Sequence, residues 1–229
     1  MIYAALGGIG AQVEMHELAG SVLPVRVEVL NFSLFGEVDS WGGYLELAAV
    51  DLMRNGLIIN EAVQSSQGMG TVVLTATVSH AEKLYSLAKE RGAKALLLHG
   101  QLGKKKREAG MSAAADYPLI FGTLSLLSEG IDWPHVGAVI FAAPVSAAVD
   151  KAVPSATRLI QSIGRARRPF PGKVRACVID IVDQNGFGRA AFKKRLEIYA
   201  QQGFTVIYRE NDYSDSFREE CEYEYEYDD

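Results

Sequence analysis

"TVVLTATVSHAEKLYSLAKERGAKALLLHG", residues Thr71 to Gly100, changes period twice, and those changes decide the fold. "TVVLTA" is a short, continuously apolar run of the kind shown by a strand buried on both faces. Apolar positions then recur three and four apart through "SHAEKLYSLAKERG". Ser79 stands as an N-cap with Glu82 three residues on, and Gly92 closes the helix. "AKALLLHG" returns to the strand pattern. Strand, helix and strand in that order form a unit whose two strands lie parallel.

The pattern continues outward. Downstream come a helix in "KKKREAGMSAAA" and strands in "PLIFGT", "VGAVIFAAP" and "VRACVIDIV". Upstream, Tyr44 to Ala62 has helical spacing, with Asn55-Gly56 as a break between two helices, and "PVRVEVL" alternates as a strand. Apolar strands alternating with helices predict an α/β fold, a doubly wound and mostly parallel sheet with helices on both faces. Ligands of such sheets sit beyond the carboxyl ends of the strands. Thr75, Thr77, His99 to Gly103, Thr123 to Asp132 and the arginine cluster after Leu159 are therefore expected along that edge.

The chain of 229 residues has room for one full domain with an appendage. With 48% apolar and 22% charged residues, its composition is that of a globular protein. It has no apolar run of about 18 residues and no charged start leading into a long apolar segment, so a cytoplasmic protein without a membrane partner is expected. The two cysteines, Cys177 and Cys221, lie in unlike surroundings, and His16, His80, His99 and His135 show no ligand spacing; no metal site is expected. The net charge of -5 is uneven. Residues 212–229 hold nine acids and one base, leaving a mildly basic body that suits a polyanion.

Three stretches could carry chemistry. "LIQSIGRARRP", Leu159 to Pro169, places Arg165 and Arg168 three apart, with Arg158 and Arg167 beside them. Arginine is always charged and forks onto phosphate oxygens, so a converging pair suits a polyphosphate; a solvated basic turn is the plainer reading. "SEGIDWP" supplies Gly130 and Asp132, where glycine lets the backbone approach a phosphate and a carboxylate can accept from a ribose hydroxyl, or simply form an acidic turn. "LHGQLGKKKRE" sets a glycine turn before a helix bearing Lys104, Lys105, Lys106 and Arg107, a phosphate site or a solvated charge run.

In sequence order, these stretches resemble the second, RecA-like motor domain of superfamily 2 helicases. "TVVLTATVSHAEKL" looks like motif IV, "TLSLLSEGIDWP" like motif V, and "QSIGRARR" matches motif VI with Gln161, Gly164, Arg165 and Arg168. With "VIDIVD" and "AAFKKRLEIYAQQGF" behind them, they most resemble phage and bacterial DNA helicases akin to the translocating subunits of type III restriction enzymes. The resemblance covers about Pro24 to Tyr208. It implies that Arg165 and Arg168 reach the phosphates of ATP across an interdomain cleft, with Arg168 favoured as arginine finger. Gln161, Gly130 and Asp132 would serve the nucleotide. Thr123, Gly100, Lys104 and Arg107 would touch the backbone of a single- or double-stranded DNA, or of RNA. The stretch Thr123 to Gly130 is a residue longer than in many relatives, so Ser125 is an alternative to Thr123.

Motors of this class hydrolyse ATP between two domains, the first of which supplies the phosphate loop and the acids that hold Mg2+. Neither Gly-x4-Gly-Lys-Ser/Thr nor a matching Asp-Glu motif occurs here. The chain is therefore expected to be the carboxyl-terminal half of a motor, inactive alone and working with an N-terminal motor domain in cis or trans. Its expected division is a connector at 1–40, the RecA-like domain at 41–211 and an acidic, disordered tail at 212–229. A non-catalytic nucleic-acid-binding or regulatory module shares the same motifs. "LGGIGAQV" with Glu28 downstream suggests a dinucleotide fingerprint but lacks its third glycine.

Overall fold

The computed structural model describes residues 22–125, 133–143 and 155–209, with side chains in the last segment from 159 onward. Seven strands form one sheet in the order β3-β4-β2-β5-β6-β1-β7. They are β1 (Val25–Phe32), β2 (Gly70–Thr75), β3 (Ala95–Leu98), β4 (Leu119–Thr123), β5 (Val136–Phe141), β6 (Ala176–Asp183) and β7 (Thr205–Arg209). Every pairing is parallel. The doubly wound expectation holds.

Helices α1 (Trp41–Val50), α2 (Leu52–Gly68), α3 (Val78–Glu90), α4 (Lys104–Ala113), α5 (Ser155–Ala166) and α6 (Gly186–Gln201) connect the strands. On one face, Leu159, Ile163 and Ala166 of α5 and Ile198 and Tyr199 of α6 pack on Val27, Val29, Val139 and Val178, with Met111 of α4 against the same core. On the other, Leu57, Ile58 and Ala62 of α2 and Leu84 and Ala88 of α3 cover Val73, Phe121, Ile140 and Ile179. Because β5 and β6 are buried on both sides, polar residues cannot alternate along them; β5 reads as an unbroken apolar stretch, and β6 as an apolar one carrying only Asp180 and Asp183.

Local details differ from the sequence expectation in three places. Helix α3 is capped by Thr77, whose side chain accepts from the His80 amide at 3.3 Å, and not by Ser79. The helices before β2 break at Asp51, which ends α1 and caps α2 by accepting from the Arg54 amide at 2.7 Å. Asn55 and Gly56 lie inside α2, where Asn55 is held by tertiary contacts that sequence periodicity does not register. A seventh strand, β7, follows Gly203, which closes α6 at φ +66. Sequence pattern does not mark it, because "FTVIYRE" is short, half-exposed and directly follows a helical run.

Strand β1 lies inside the sheet, between β6 and β7, so the sheet draws on residues before position 40. Its neighbours come from the far end of the chain. The alternation in "PVRVEVL" marks the strand, but only packing chooses those partners.

Candidate nucleotide and nucleic-acid faces

Strands β3, β4 and β2 are adjacent, so their carboxyl ends place three of the expected stretches side by side. Thr75 and Thr123 are register partners. The buried Thr75 hydroxyl is committed to the Thr77 carbonyl at 2.8 Å, whereas Thr123 Oγ1 and Ser125 Oγ share a hydrogen bond of 2.8 Å. That bond makes Thr123 and Ser125 one hydroxyl pair, so the two residues expected as alternatives lie together.

Beside them, the turn after β3 brings Leu102 N–H to His99 C=O at 3.1 Å and ends at Gly103, which caps α4 without a side-chain bond. Gly100 and Gly103 border open space. The first-turn amides of α4 lack a side-chain acceptor, and Lys104, Lys105 and Lys106 are exposed around them. Arg107 is half-buried. His99 is buried behind the turn with Nε2 3.7 Å from Glu82, and its Nδ1 has no partner among the described residues. Open backbone amides and exposed lysines are the chemistry of an anion site.

The arginine cluster occupies the opposite edge. A crossover helix between parallel strands runs against them, so the last turn of α5 returns to the amino ends of the strands. Arg165 and Ala166 line a small gap with Trp133, Val136 and Val139, at and near the start of β5. Arg167 is bound to Leu23, just before β1: its carbonyl accepts from the Leu23 amide at 2.8 Å, and its Nε donates to the Leu23 carbonyl at 2.9 Å. The expectation that every polar stretch gathers at the carboxyl edge is thus corrected for the arginines. At ~3.3 Å per residue, β5 puts the two sites roughly 15–20 Å apart.

The arginines divide their work. Arg167 clamps backbone, lies over the Phe204 ring at 5.6 Å, and has its pKa lowered by burial. Arg165 is half-buried and Arg168 is exposed, and both take part in further contacts. Gln161 is exposed one turn before Arg165, on the same helical face. Gly130, Asp132 and the Arg158 side chain lie outside the described residues.

Behind both faces stand buried ion pairs that sequence reasoning missed. Asp180 and Asp183 are three apart on β6 and so point to opposite faces. Asp180 accepts from Arg195 Nε at 2.9 Å, Arg195 Nη2 at 2.8 Å and the Tyr199 hydroxyl at 2.8 Å, tying α6 to the sheet. Asp183 accepts from Arg54 at 2.8 and 3.1 Å and from the Tyr44 hydroxyl at 2.5 Å, while Arg54 also donates to the Ala142 carbonyl at 2.6 Å. Burial and the neighbouring carboxylate raise both phenol pKa values. For Arg195, burial opposes the charge and Asp180 more than offsets it. The only sequence signal was two acids inside an apolar strand.

A cleft of about 310 Å3 lies elsewhere, along β1, β6 and α2. Its charges largely satisfy one another: Arg209 bonds Glu61 at 2.7 and 3.1 Å and Glu28 at 3.2 Å. Burial, reinforced by Glu28, pushes the Cys177 thiol up to about 12, which keeps it protonated and unreactive.

Residues 53–169 match the helicase conserved C-terminal domain. The chain belongs to that family. This C-terminal helicase domain is 35% identical over 113 residues to the UvrABC system protein B of Thermus thermophilus, covering 48% of this chain and 16% of that protein. Against the Thermotoga neapolitana protein of the same name it is 36% identical over 120 residues, 51% of this chain and 18% of that one. It therefore spans under a fifth of these relatives' length. Among solved structures, T4 UvsW superimposes with a TM-score of 0.62 at 19% identity, over 82% of this chain and 41% of that chain. The C-terminal domain of the DEAD-box protein Dbp5 gives 0.56 at 17%, over 83% and 92%. These structural likenesses show the RecA-like fold of a helicase C-terminal domain. The family match runs from α2 through the carboxyl-edge turns to the arginine turn; β1, β6 and β7 lie outside it.

Proposed function

We propose that this helicase domain is the second motor domain of an ATP-dependent DNA helicase or translocase, working with a first motor domain in cis or trans. The observation that carries the reading is the separation of two cation-bearing surfaces on one sheet: glycine turns, hydroxyls and lysines at the carboxyl ends of β3, β4 and β2, and an arginine turn at the amino edge. A triphosphate at the second surface is supported by Gln161 and Arg165, which share a helical face, and by the exposed Arg168 two residues past the helix end. Among the described residues, no group of three or more His, Cys, Asp or Glu is placed to hold a metal ion. Mg2+ is assigned mainly to the partner domain.

ATP, when bound, supplies the phosphoryl transfer. Arg168 meets the charge that develops on the transferring group, and Arg165 orients the neighbouring oxygens. Gln161, with Gly130 and Asp132 of the preceding stretch, serves the rest of the nucleotide. On the other edge, Thr123, Ser125, Gly100, Lys104 and Arg107 hold a DNA backbone through contacts indifferent to sequence. As the domains close and open, that strand advances.

The test is ATP hydrolysis with and without single-stranded DNA. This chain alone is expected to show no turnover. In the assembled two-domain motor, Arg168→Ala should lower kcat by on the order of 10³-fold or more while leaving DNA affinity nearly unchanged. Ordinary turnover by that variant would refute the finger assignment, and DNA-stimulated turnover by the lone chain would refute the half-motor.

A further inference from the structure

The arginine turn has a tether outside the conserved motif. Lys173 lies five residues beyond Arg168, and its ammonium donates to the carbonyls of Pro134 and Val136, each at 2.8 Å. Those carbonyls flank the entry to β5, next to Trp133, which lines a small gap together with Arg165. The lysine stem lies against Gly137, where an added Cβ would come within 3.0 Å of Lys173 Cδ. Gly172, at φ +79, shapes the turn just before it, and Lys173 N–H bonds the Phe170 carbonyl at 2.9 Å. On the other side of Arg168, Arg167 is bound twice to Leu23. Arg168 is therefore an exposed arginine on a backbone anchored within a few residues on either side, to the entry of β1 and to the entry of β5.

We propose that Lys173 is a positioning residue for Arg168, holding the arginine turn in register with the entry of β5 so that the guanidinium meets the nucleotide already oriented. The inference rests on the motor reading above. Its physical basis is that a long, exposed arginine is entropically costly to fix, and roughly 1 Å of misplacement can cost about 10²-fold in rate. An ammonium shared by two carbonyls is a directional anchor that a methylene chain cannot replace. Burial also lowers the Lys173 pKa, in keeping with a lysine committed to the interior.

The experiment compares Lys173→Met, which keeps the stem, with Lys173→Arg, which keeps the donors; Lys193→Met on the exposed side of α6 is the control. In the two-domain motor, Lys173→Met should lower kcat for DNA-dependent ATP hydrolysis roughly 10- to 100-fold. The KM for ATP and the DNA affinity should stay within about twofold, and Lys173→Arg should restore much of the loss. In the 229-residue chain alone, amide exchange at Arg167, Arg168 and Lys173 should speed up at least tenfold in Lys173→Met while the β6 core stays protected. Unchanged kcat together with unchanged exchange would overturn the proposal, as would a kcat loss that Lys173→Arg fails to restore. If Arg168→Ala itself turns over normally, the motor reading fails; if Arg168→Ala is inactive but Lys173→Met is not, only the positioning role does.

Discussion

His80 shows how a residue's chemistry follows from what surrounds it. Its Nε2 lies 2.8 Å from Asn55 Oδ1, and Asn55 Nδ2 donates to the Ala49 carbonyl, so the imidazole is the donor. Burial, then the nearby Arg54, lowers its pKa to about 3. The folded state thus takes up this proton later than the unfolded chain, and stability is lost as pH falls from about 6.5 toward about 3. The slope is close to one proton, ~1.4 kcal/mol per pH unit. His80→Gln should flatten the pH dependence of unfolding free energy between pH 6 and 4.5, measured by urea titration. Parallel curves for variant and parent would show that His80 does not titrate in this way. Asp183 has a similar lesson: removing it would strand Arg54 as an uncompensated buried charge, at a cost of about 3–5 kcal/mol. In the sequence His80 is one of four scattered histidines, because its partner lies 25 residues away on a different helix.

At the scale of elements, caps and crossovers decide where functional groups arrive. Asp51 serves two helices at once, and its carboxylate is the only described cap at the α2 N-terminus. Asp51→Ala should therefore cost about 1 kcal/mol, seen as a lower melting temperature with an unchanged far-ultraviolet spectrum; no shift would mean that packing of α2 alone sets that boundary. Helix α6 starts equally tightly. A Cβ at Gly188 would lie 2.1 Å from the Asp183 carbonyl oxygen, so only glycine lets α6 begin so close to the end of β6. Helix existence was legible from period, but the boundary at Asp51 was not, because apolar spacing runs through it unbroken. The same limit hid β7. The direction of α5 explains why the arginines reach the amino edge: the motif sits in the last turn of a helix that must run back along the sheet.

At the scale of the molecule, the sheet separates two surfaces by a strand's length, and the charge of the chain is unevenly divided. The acidic residues 212–229 counter a body that is otherwise mildly basic. If they compete with DNA for the lysine-bearing edge, deleting 212–229 should tighten single-stranded DNA binding at low salt, and the gain should shrink as salt screens both terms. Fluorescence anisotropy across a salt series measures it; equal affinities at low salt would dismiss competition.

From local pattern alone, the sequence determined the alternation of strands and helices, the parallel doubly wound class, and the residues of the arginine and glycine turns, since each depends on neighbours within one turn or one strand. Tertiary structure alone decided that β1 lies between β6 and β7, that Asp180 and Asp183 pair with arginines on opposite faces, that Lys173 anchors the entry of β5, and that the arginines face the edge opposite the glycine turns. The physical reason is one of distance: those contacts join residues far apart in the chain, and a buried charge or an interior strand is stable only when its distant partner is in place.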